Sequence, residues 1–173
     1  MKNIVLRGHH LLCTRLFIGN GYDEEFAKRM GEVVTKMELD NFSDENKYEK
    51  TDMITLVCKS DYVCEKCPNR VENIKNNIEK NNKRENHKNE ILKENEESSK
   101  ERNILKEYKC KLGDKDVLQK DRLVLKYLGL EENKSYTLDE IKGLVRNIKR
   151  EQFEEICGGC RWNKAGYCSY EKL

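Results

Sequence analysis

Apolar residues recur every three or four positions in several stretches of this chain, which predicts a mainly helical protein. Residues at the predicted helix ends agree with this pattern. Asp23 is placed to cap a helix start, Thr137-Leu138-Asp139-Glu140 reads as a capping box, and Gly129 marks a helix end. The predicted helices cover residues 9–18, 23–37, 117–128 and 137–148, followed by a helical turn at 153–156 that leads into a cysteine.

Two other stretches lack this periodicity. Met53–Val57 is a short apolar run that predicts a strand, preceded by a polar, loop-like segment at 40–51. Residues 69–109 are dominated by Asn, Lys, Glu and Arg, with no apolar residue between Ile78 and Ile91. Such a segment has no face to bury, so we interpret it as an insertion formed by extended helices, a loose hairpin or a flexible loop.

The expected fold class is therefore mainly α with a small β element. We predict a single domain over residues 1–173, with the polar insertion at about 69–109 and a cysteine-rich tail at 151–173. Apolar residues make up only 36% of the chain, so its hydrophobic core is modest. A bound metal that links distant segments would stabilise such a fold.

Charge and hydropathy narrow the classes of function. Charged residues reach 38%, yet the formal net charge is only +2, which argues against a dedicated nucleic-acid binder. No run approaches the roughly 18 apolar residues of a membrane span, and the N-terminus lacks a signal-peptide pattern. We therefore expect a cytoplasmic protein with no membrane partner. In a reducing cytosol, its eight cysteines indicate metal ligands or redox thiols rather than disulfides.

The tail contains the densest group of these cysteines, Cys157, Cys160 and Cys168. A two-residue spacer lets both sulfurs of a tight turn face one metal, and the glycines between the first pair allow close backbone approach. Trp162 and Tyr167 are candidates to shield such a site from water. Three thiols leave one coordination position to be filled from elsewhere or left open for a substrate.

A second group lies upstream. Cys64 and Cys67 form another pair with a two-residue spacer, followed by a proline as in bacterial ferredoxin motifs. If the insertion is removed, Cys110 follows Cys67 closely and becomes a candidate ligand with it. Cys58 ends the apolar strand, so it is either a ligand or a buried core residue.

The third group, near the N-terminus, contains His9, His10 and Cys13. On a helix, either imidazole lies beside the Cys13 sulfur. The three are candidate catalytic residues, because a histidine activates a neighbouring thiol, or they bind metal together. The alternative is a structural cysteine in the core with histidines at the helix start. His87, within the insertion, is expected to be solvated.

These segments resemble an uncharacterised bacterial and archaeal family, catalogued as domain of unknown function 1284. Members typically open with an Arg-Pro/Gly-His-His-Leu-Leu-Cys box and a Gly-Lys-Gly-Tyr turn, followed by an Asp-Asp-Ile-Cys segment. A cysteine then precedes a helix that carries an aspartate, and longer members end in a cysteine-rich tail. The matching segments here are Leu6–Cys13, Gly19–Tyr22, Asp61–Cys64, Cys110 with Asp121, and 157–168.

The sequence departs from that family pattern at two positions. Asn20 stands where lysine is common, and Tyr62 stands where a second aspartate is common. The family has no established activity, so the resemblance supports the candidate sites without naming a reaction.

We therefore predict an iron–sulfur protein, with a [4Fe–4S] cluster and a redox or cluster-dependent role. The predicted ligands are Cys64, Cys67, Cys110, Cys157, Cys160 and Cys168. Its partner would be a redox protein or a small-molecule substrate. The alternatives are a structural zinc module, since thiolates suit both metals, and a metal-free thiol enzyme or redox sensor that uses Cys13.

Overall fold

The computed structural model describes residues 3–38, 53–73 and 107–173. In these residues the fold is mainly α-helical with a few short strands, as predicted. The helices are α1 (His10–Arg15), α2 (Glu24–Glu38), α3 (Asp114–Leu128), α4 (Leu138–Arg146), α5 (Arg150–Cys157) and α6 (Arg161–Lys164). The strands are β1 (Asn3–Arg7), β2 (Met53–Val57), β3 (Arg70–Asn73), β4 (Glu107–Cys110) and β5 (Ser135–Thr137).

A three-stranded sheet, in the order β1-β2-β5, organises one side of the fold. Strand β2 pairs in parallel with β1 and antiparallel with β5. The parallel register ends at Arg7 opposite Val57, so both strands finish at the same edge of the sheet. From that edge, β1 leads directly into α1, and β2 leads toward Cys64. The parallel pair therefore delivers two distant segments to one place.

The helices pack their apolar faces against this sheet. Buried residues come from β1, β2 and each helix from α1 to α5, so the core is shared rather than divided into separate clusters. The largest fully buried apolar side chains are Leu6, Leu11, Leu12, Ile54, Leu56, Ile141, Phe153 and Ile156.

The helix ends confirm the capping predictions. The Asp23 Oδ1 atom accepts a hydrogen bond from the Phe26 amide at 2.8 Å, as an N-cap does. Thr137 and Glu140 form a reciprocal capping box at the start of α4. Gly129 ends α3 with φ 66°, in the left-handed region where glycine has no side chain to strain.

The described ends of the predicted insertion form a second sheet. Strands β3 and β4 pair antiparallel, with Arg70 opposite Cys110 and Asn73 opposite Glu107. Residues 74–106, which make up most of the insertion, and the predicted loop at 40–51 lie outside the described residues.

No helix in the described part of the chain is long and apolar enough to cross a membrane.

Candidate metal centre

One cavity of about 330 Å³ contains all nine of the predicted site residues in its lining. Seven of the eight cysteines and both helix-start histidines line it, whereas Cys58 does not. None of the cysteines forms a disulfide. The lining cysteines and histidines are His9, His10, Cys13, Cys64, Cys67, Cys110, Cys157, Cys160 and Cys168.

Several short elements deliver these residues. The start of α1 supplies the histidines and Cys13, immediately after the edge where β1 ends. A single 3-10 turn over Cys64–Lys66 separates the upstream pair, and Cys110 is the last residue of β4. In the tail, Cys157 ends α5 and Cys160 precedes α6, so the glycine pair forms the corner between two helices.

Asp61 anchors His10 and the turn that carries Cys64. Its Oδ2 atom accepts hydrogen bonds from His10 Nδ1 at 2.6 Å and from the Arg7 amide at 2.8 Å. Its Oδ1 atom accepts one from the Cys64 amide at 2.9 Å. Burial alone would raise the pKa of Asp61, but the attraction and hydrogen bonds of its donors hold that pKa well below its usual range. Asp61 is therefore an ionised, fully partnered buried group.

Asp121, from α3, holds His9 and the Arg7 side chain in the same way. Its Oδ1 atom accepts hydrogen bonds from His9 Nδ1 at 2.6 Å and from the His9 amide at 3.1 Å. Its Oδ2 atom accepts two from the Arg7 guanidinium, at 2.8 and 3.0 Å. The side chain is completely buried, and these partners keep its pKa below the ordinary value despite the cost of burial.

Gly8 makes this arrangement possible. A Cβ atom at this position would lie 2.6 Å from the backbone oxygen of Asp121. Only a residue without a side chain lets the segment after β1 approach α3 so closely. The approach brings the His9 amide and imidazole onto the Asp121 carboxylate.

The two histidines consequently present their other ring nitrogens to the cavity. A carboxylate only accepts hydrogen bonds, so each Nδ1 is the donor and Nε2 is the ring nitrogen left for another partner. Both histidines line the cavity, whereas neither aspartate does. Burial lowers the pKa of His9 to about 4, which keeps its imidazole neutral at physiological pH. An imidazole fixed by a carboxylate through its remote nitrogen is the usual arrangement of a metal-ligating histidine.

The pairing of the imidazoles differs from that expected from helical spacing. His9 and His10 were expected beside the Cys13 sulfur, but both donate to aspartates instead. Cys13 packs against the apolar core and lines the same cavity as the three tail thiols. Burial raises the pKa of Cys13 well above its ordinary value, and negative charge on Cys157, Cys160 or Cys168 would raise it further. The four sulfurs therefore form one electrostatically linked group.

Four of the other lining thiols also have a raised pKa. Burial raises the pKa of Cys64 and of Cys157 to about 12, and it raises the pKa of Cys67 and Cys168 as well. A thiolate in this cavity therefore needs a compensating positive charge. One is close to Cys64, whose Sγ atom accepts a hydrogen bond from Arg7 Nη1 at 3.9 Å.

His10, Asp61 and Cys64 form a group whose potential ligand atoms all lie within 4.8 Å of one another. Three hydrogen bonds already occupy Asp61, and its side chain is inaccessible to solvent. We therefore interpret Asp61 as the residue that orients the group. The atoms available to a metal are His10 Nε2 and Cys64 Sγ.

Aromatic side chains cover the tail side of the cavity. The rings of Tyr22 and Trp162 are 5.1 Å apart, and those of Trp162 and Tyr167 are 5.7 Å apart. All three residues line the cavity. Trp162 and Tyr167 thus line the cavity, although Tyr167 is 40% exposed to solvent.

Sequence periodicity did not identify the partners of the histidines, which are Arg7, Asp61 and Asp121. Only the motifs shared with the family include these three residues. A signal was nevertheless present for Asp121, which occupies the apolar face of α3 between Val117 and Val124. A carboxylate on such a face must find buried donors.

Comparison with known proteins adds one match. Searches of the curated proteins and of the solved structures each returned no match. The model of a family described as "Protein of unknown function (DUF1284)" matches residues 71–166, more than half of the chain. The match includes Cys110, Asp121, Cys157 and Cys160, whereas the box at Leu6–Cys13 lies upstream of it. The chain belongs to this family of unknown function, DUF1284.

Proposed function

We propose that this protein binds a [4Fe–4S] cluster in the cysteine-lined cavity and has a redox or cluster-dependent role. The observation that carries the proposal is the gathering of seven of the eight cysteines around one cavity. They come from segments that are far apart in the sequence, and none of them is in a disulfide. A grouping of this kind is typical of proteins that hold soft metals through thiolates.

The proposed ligands of this cluster are Cys13, Cys157, Cys160 and Cys168. From the sequence we expected Cys64, Cys67 or Cys110 to complete or extend the tail group. Cys13 lines the same cavity, and negative charge on any of the three tail thiols would raise its pKa, so Cys13 is the candidate that we favour. This assignment gives Cys13 a ligating role in place of a nucleophilic one.

The surroundings of these thiols fit such a group. The cavity is predominantly apolar and aromatic side chains cover it, which would protect a cluster from water. Burial raises the pKa of Cys13 and of Cys157, so their ionisation and metal binding would occur together. A bound cluster would supply one-electron transfer. The chain's own residues would exclude water and fix the positions of the sulfurs.

Two observations favour this function over its alternatives. The cavity lining holds seven thiols, more than the four ligands that one structural zinc ion takes. A metal-free thiol enzyme would need an ionised Cys13, but burial raises the pKa of that thiol and no imidazole hydrogen-bonds to its sulfur in the described residues.

Anaerobic purification tests the proposal. The protein should be brown, absorb near 400 nm and contain about four iron and four sulfide per chain. Cys13→Ser and Cys157→Ser should each lose most of this iron. Cys58→Ser is the matched control, because Cys58 lies outside the cavity lining, and it should keep the full iron content.

A colourless wild-type protein with zinc and no iron would contradict the proposal. So would a Cys13→Ser variant with an unchanged spectrum and unchanged iron content.

A further inference from the structure

We propose a second metal centre on the other side of the same cavity: a single ion of the zinc class, held by His10, Cys64, Cys67 and Cys110. This ion would be bound in addition to the cluster, through one imidazole and three thiolates. Such a Cys₃His set is a recurring tetrahedral zinc site.

His10 and Cys64 are the starting point. A potential ligand atom of each lies within 4.8 Å of the other, and both residues line the cavity. Asp61 joins the two, because it accepts hydrogen bonds from His10 Nδ1 and from the Cys64 amide. One buried carboxylate therefore fixes the ring and the turn together, with Nε2 and Sγ left for an ion.

Cys67 is the third proposed ligand of this ion. It follows Cys64 by one short turn, closed by a 3.1 Å hydrogen bond from the Cys67 amide to the Cys64 carbonyl. Turns of this length place two sulfurs on the same side, as a single ion requires. The Asn69 side chain donates to the Cys67 sulfur at 3.8 Å, which favours the thiolate form.

Cys110 is brought to the same place by the second sheet. It lies opposite Arg70 in the β3–β4 register, and the Arg70 amide bonds to the Cys67 carbonyl at 3.0 Å. The Lys111 amide bonds to the Asn69 carbonyl at 2.7 Å, which continues the pairing beyond the strand ends. The base of the insertion therefore holds Cys110 beside the turn that carries the other two thiols.

Helix α1 would then contribute one ligand to each centre. His10 and Cys13 are three residues apart, which places them on neighbouring positions of one helical face. His10 lies close to Cys64, whereas Cys13 lines the cavity together with the tail thiols. The two centres differ in chemistry: one has thiolate ligands alone, whereas the other includes an imidazole oriented by a carboxylate.

The test measures zinc and iron separately in the full-length protein, purified anaerobically from cells supplied with both metals. We expect about one zinc per chain, with X-ray absorption at the zinc edge showing three sulfur ligands and one nitrogen ligand. His10→Ala and Cys64→Ser should lower the zinc content about tenfold and leave the iron content unchanged. Cys157→Ser should have the reverse effect, and Cys58→Ser should retain both metals.

His10→Cys keeps the proposal testable if the alanine variant does not fold. It should bind zinc with four sulfur ligands, and circular dichroism would verify its fold. The proposal is overturned by a wild-type protein that takes up no zinc, by a zinc site with four sulfurs, or by a folded His10→Ala protein that retains zinc. Loss of both metals in each cysteine variant would also overturn it, since one shared centre would then explain the data. A protein that binds zinc at this site but contains no iron would instead contradict only the proposed cluster.

Discussion

The two sides of the cavity are held in different ways. On the side of the histidines, the carboxylates of Asp61 and Asp121 accept seven hydrogen bonds in all. On the tail side, no hydrogen bond to the sulfurs of Cys157, Cys160 or Cys168 occurs within the described residues. The first side is organised by the protein's own polar contacts. The second has half-buried thiols without such contacts, so we expect it to depend on metal for its order.

Removing the Asp121 carboxylate, which belongs to the histidine side, should have the largest effect on the free energy of unfolding. Asp121→Ala leaves the Arg7 guanidinium buried without its counter-charge, and breaking such a pair costs about 3–5 kcal/mol. Urea unfolding would measure the change in free energy. Asp116→Ala removes an exposed carboxylate from the same helix, and it should change that free energy by no more than about 0.5 kcal/mol. Similar values for the two variants would show that the buried network does not stabilise the fold.

Adding one methyl group at Gly8 should have the next largest effect. In Gly8→Ala the new Cβ would lie 2.6 Å from the Asp121 backbone oxygen, so the backbone must shift, at a cost of about 1–3 kcal/mol. Gly143→Ala is the matched control, because a Cβ there meets nothing within 4 Å. The free energy of unfolding of that variant should rise by about 0.5–1 kcal/mol, because alanine has a better helix propensity than glycine. Thermal or urea unfolding would measure it. Equal changes in the free energy of unfolding for the two variants would mean that the close approach of Gly8 to Asp121 does not limit the residue at position 8.

Removing metal should have the smallest and most local effect. We expect chelation to speed amide hydrogen exchange in α5 and α6 about tenfold, equivalent to about 1.4 kcal/mol of local stability. Exchange in β1 and β2 should change little, because hydrogen bonds within the protein order that side. Mass spectrometry of deuterated peptides would separate the two regions. A uniform rise in exchange across both would contradict the proposed difference.

Much of this architecture is predictable from local sequence. Helix caps depend on a few adjacent residues, so Asp23, Gly129 and Thr137 could be identified directly. The nine candidate ligand residues were identifiable because cysteine and histidine have few other roles at such spacings. Their convergence on one cavity is a property of the tertiary structure.

The remaining features depend on pairings that local patterns do not contain. Strand β5 has only three residues, and β1 gains its stability from β2, some 50 residues away. The partners of the histidines are equally remote. Asp61 is 51 positions from His10, and Asp121 is 112 positions from His9. No periodicity links residues at such separations, so helical spacing suggested Cys13 as the partner of both imidazoles instead.

The pairing of β3 with β4 has a practical consequence for protein engineering. Asn73 and Glu107 face each other across this pair, and opposed antiparallel residues have Cα atoms about 4.5–5.5 Å apart. The chain thus leaves and re-enters the described fold at adjacent points. A foreign domain whose own termini lie close together would fit between them without displacing Cys67 or Cys110. A fluorescent reporter fused at this junction would follow the protein in living cells while both chain ends stay native.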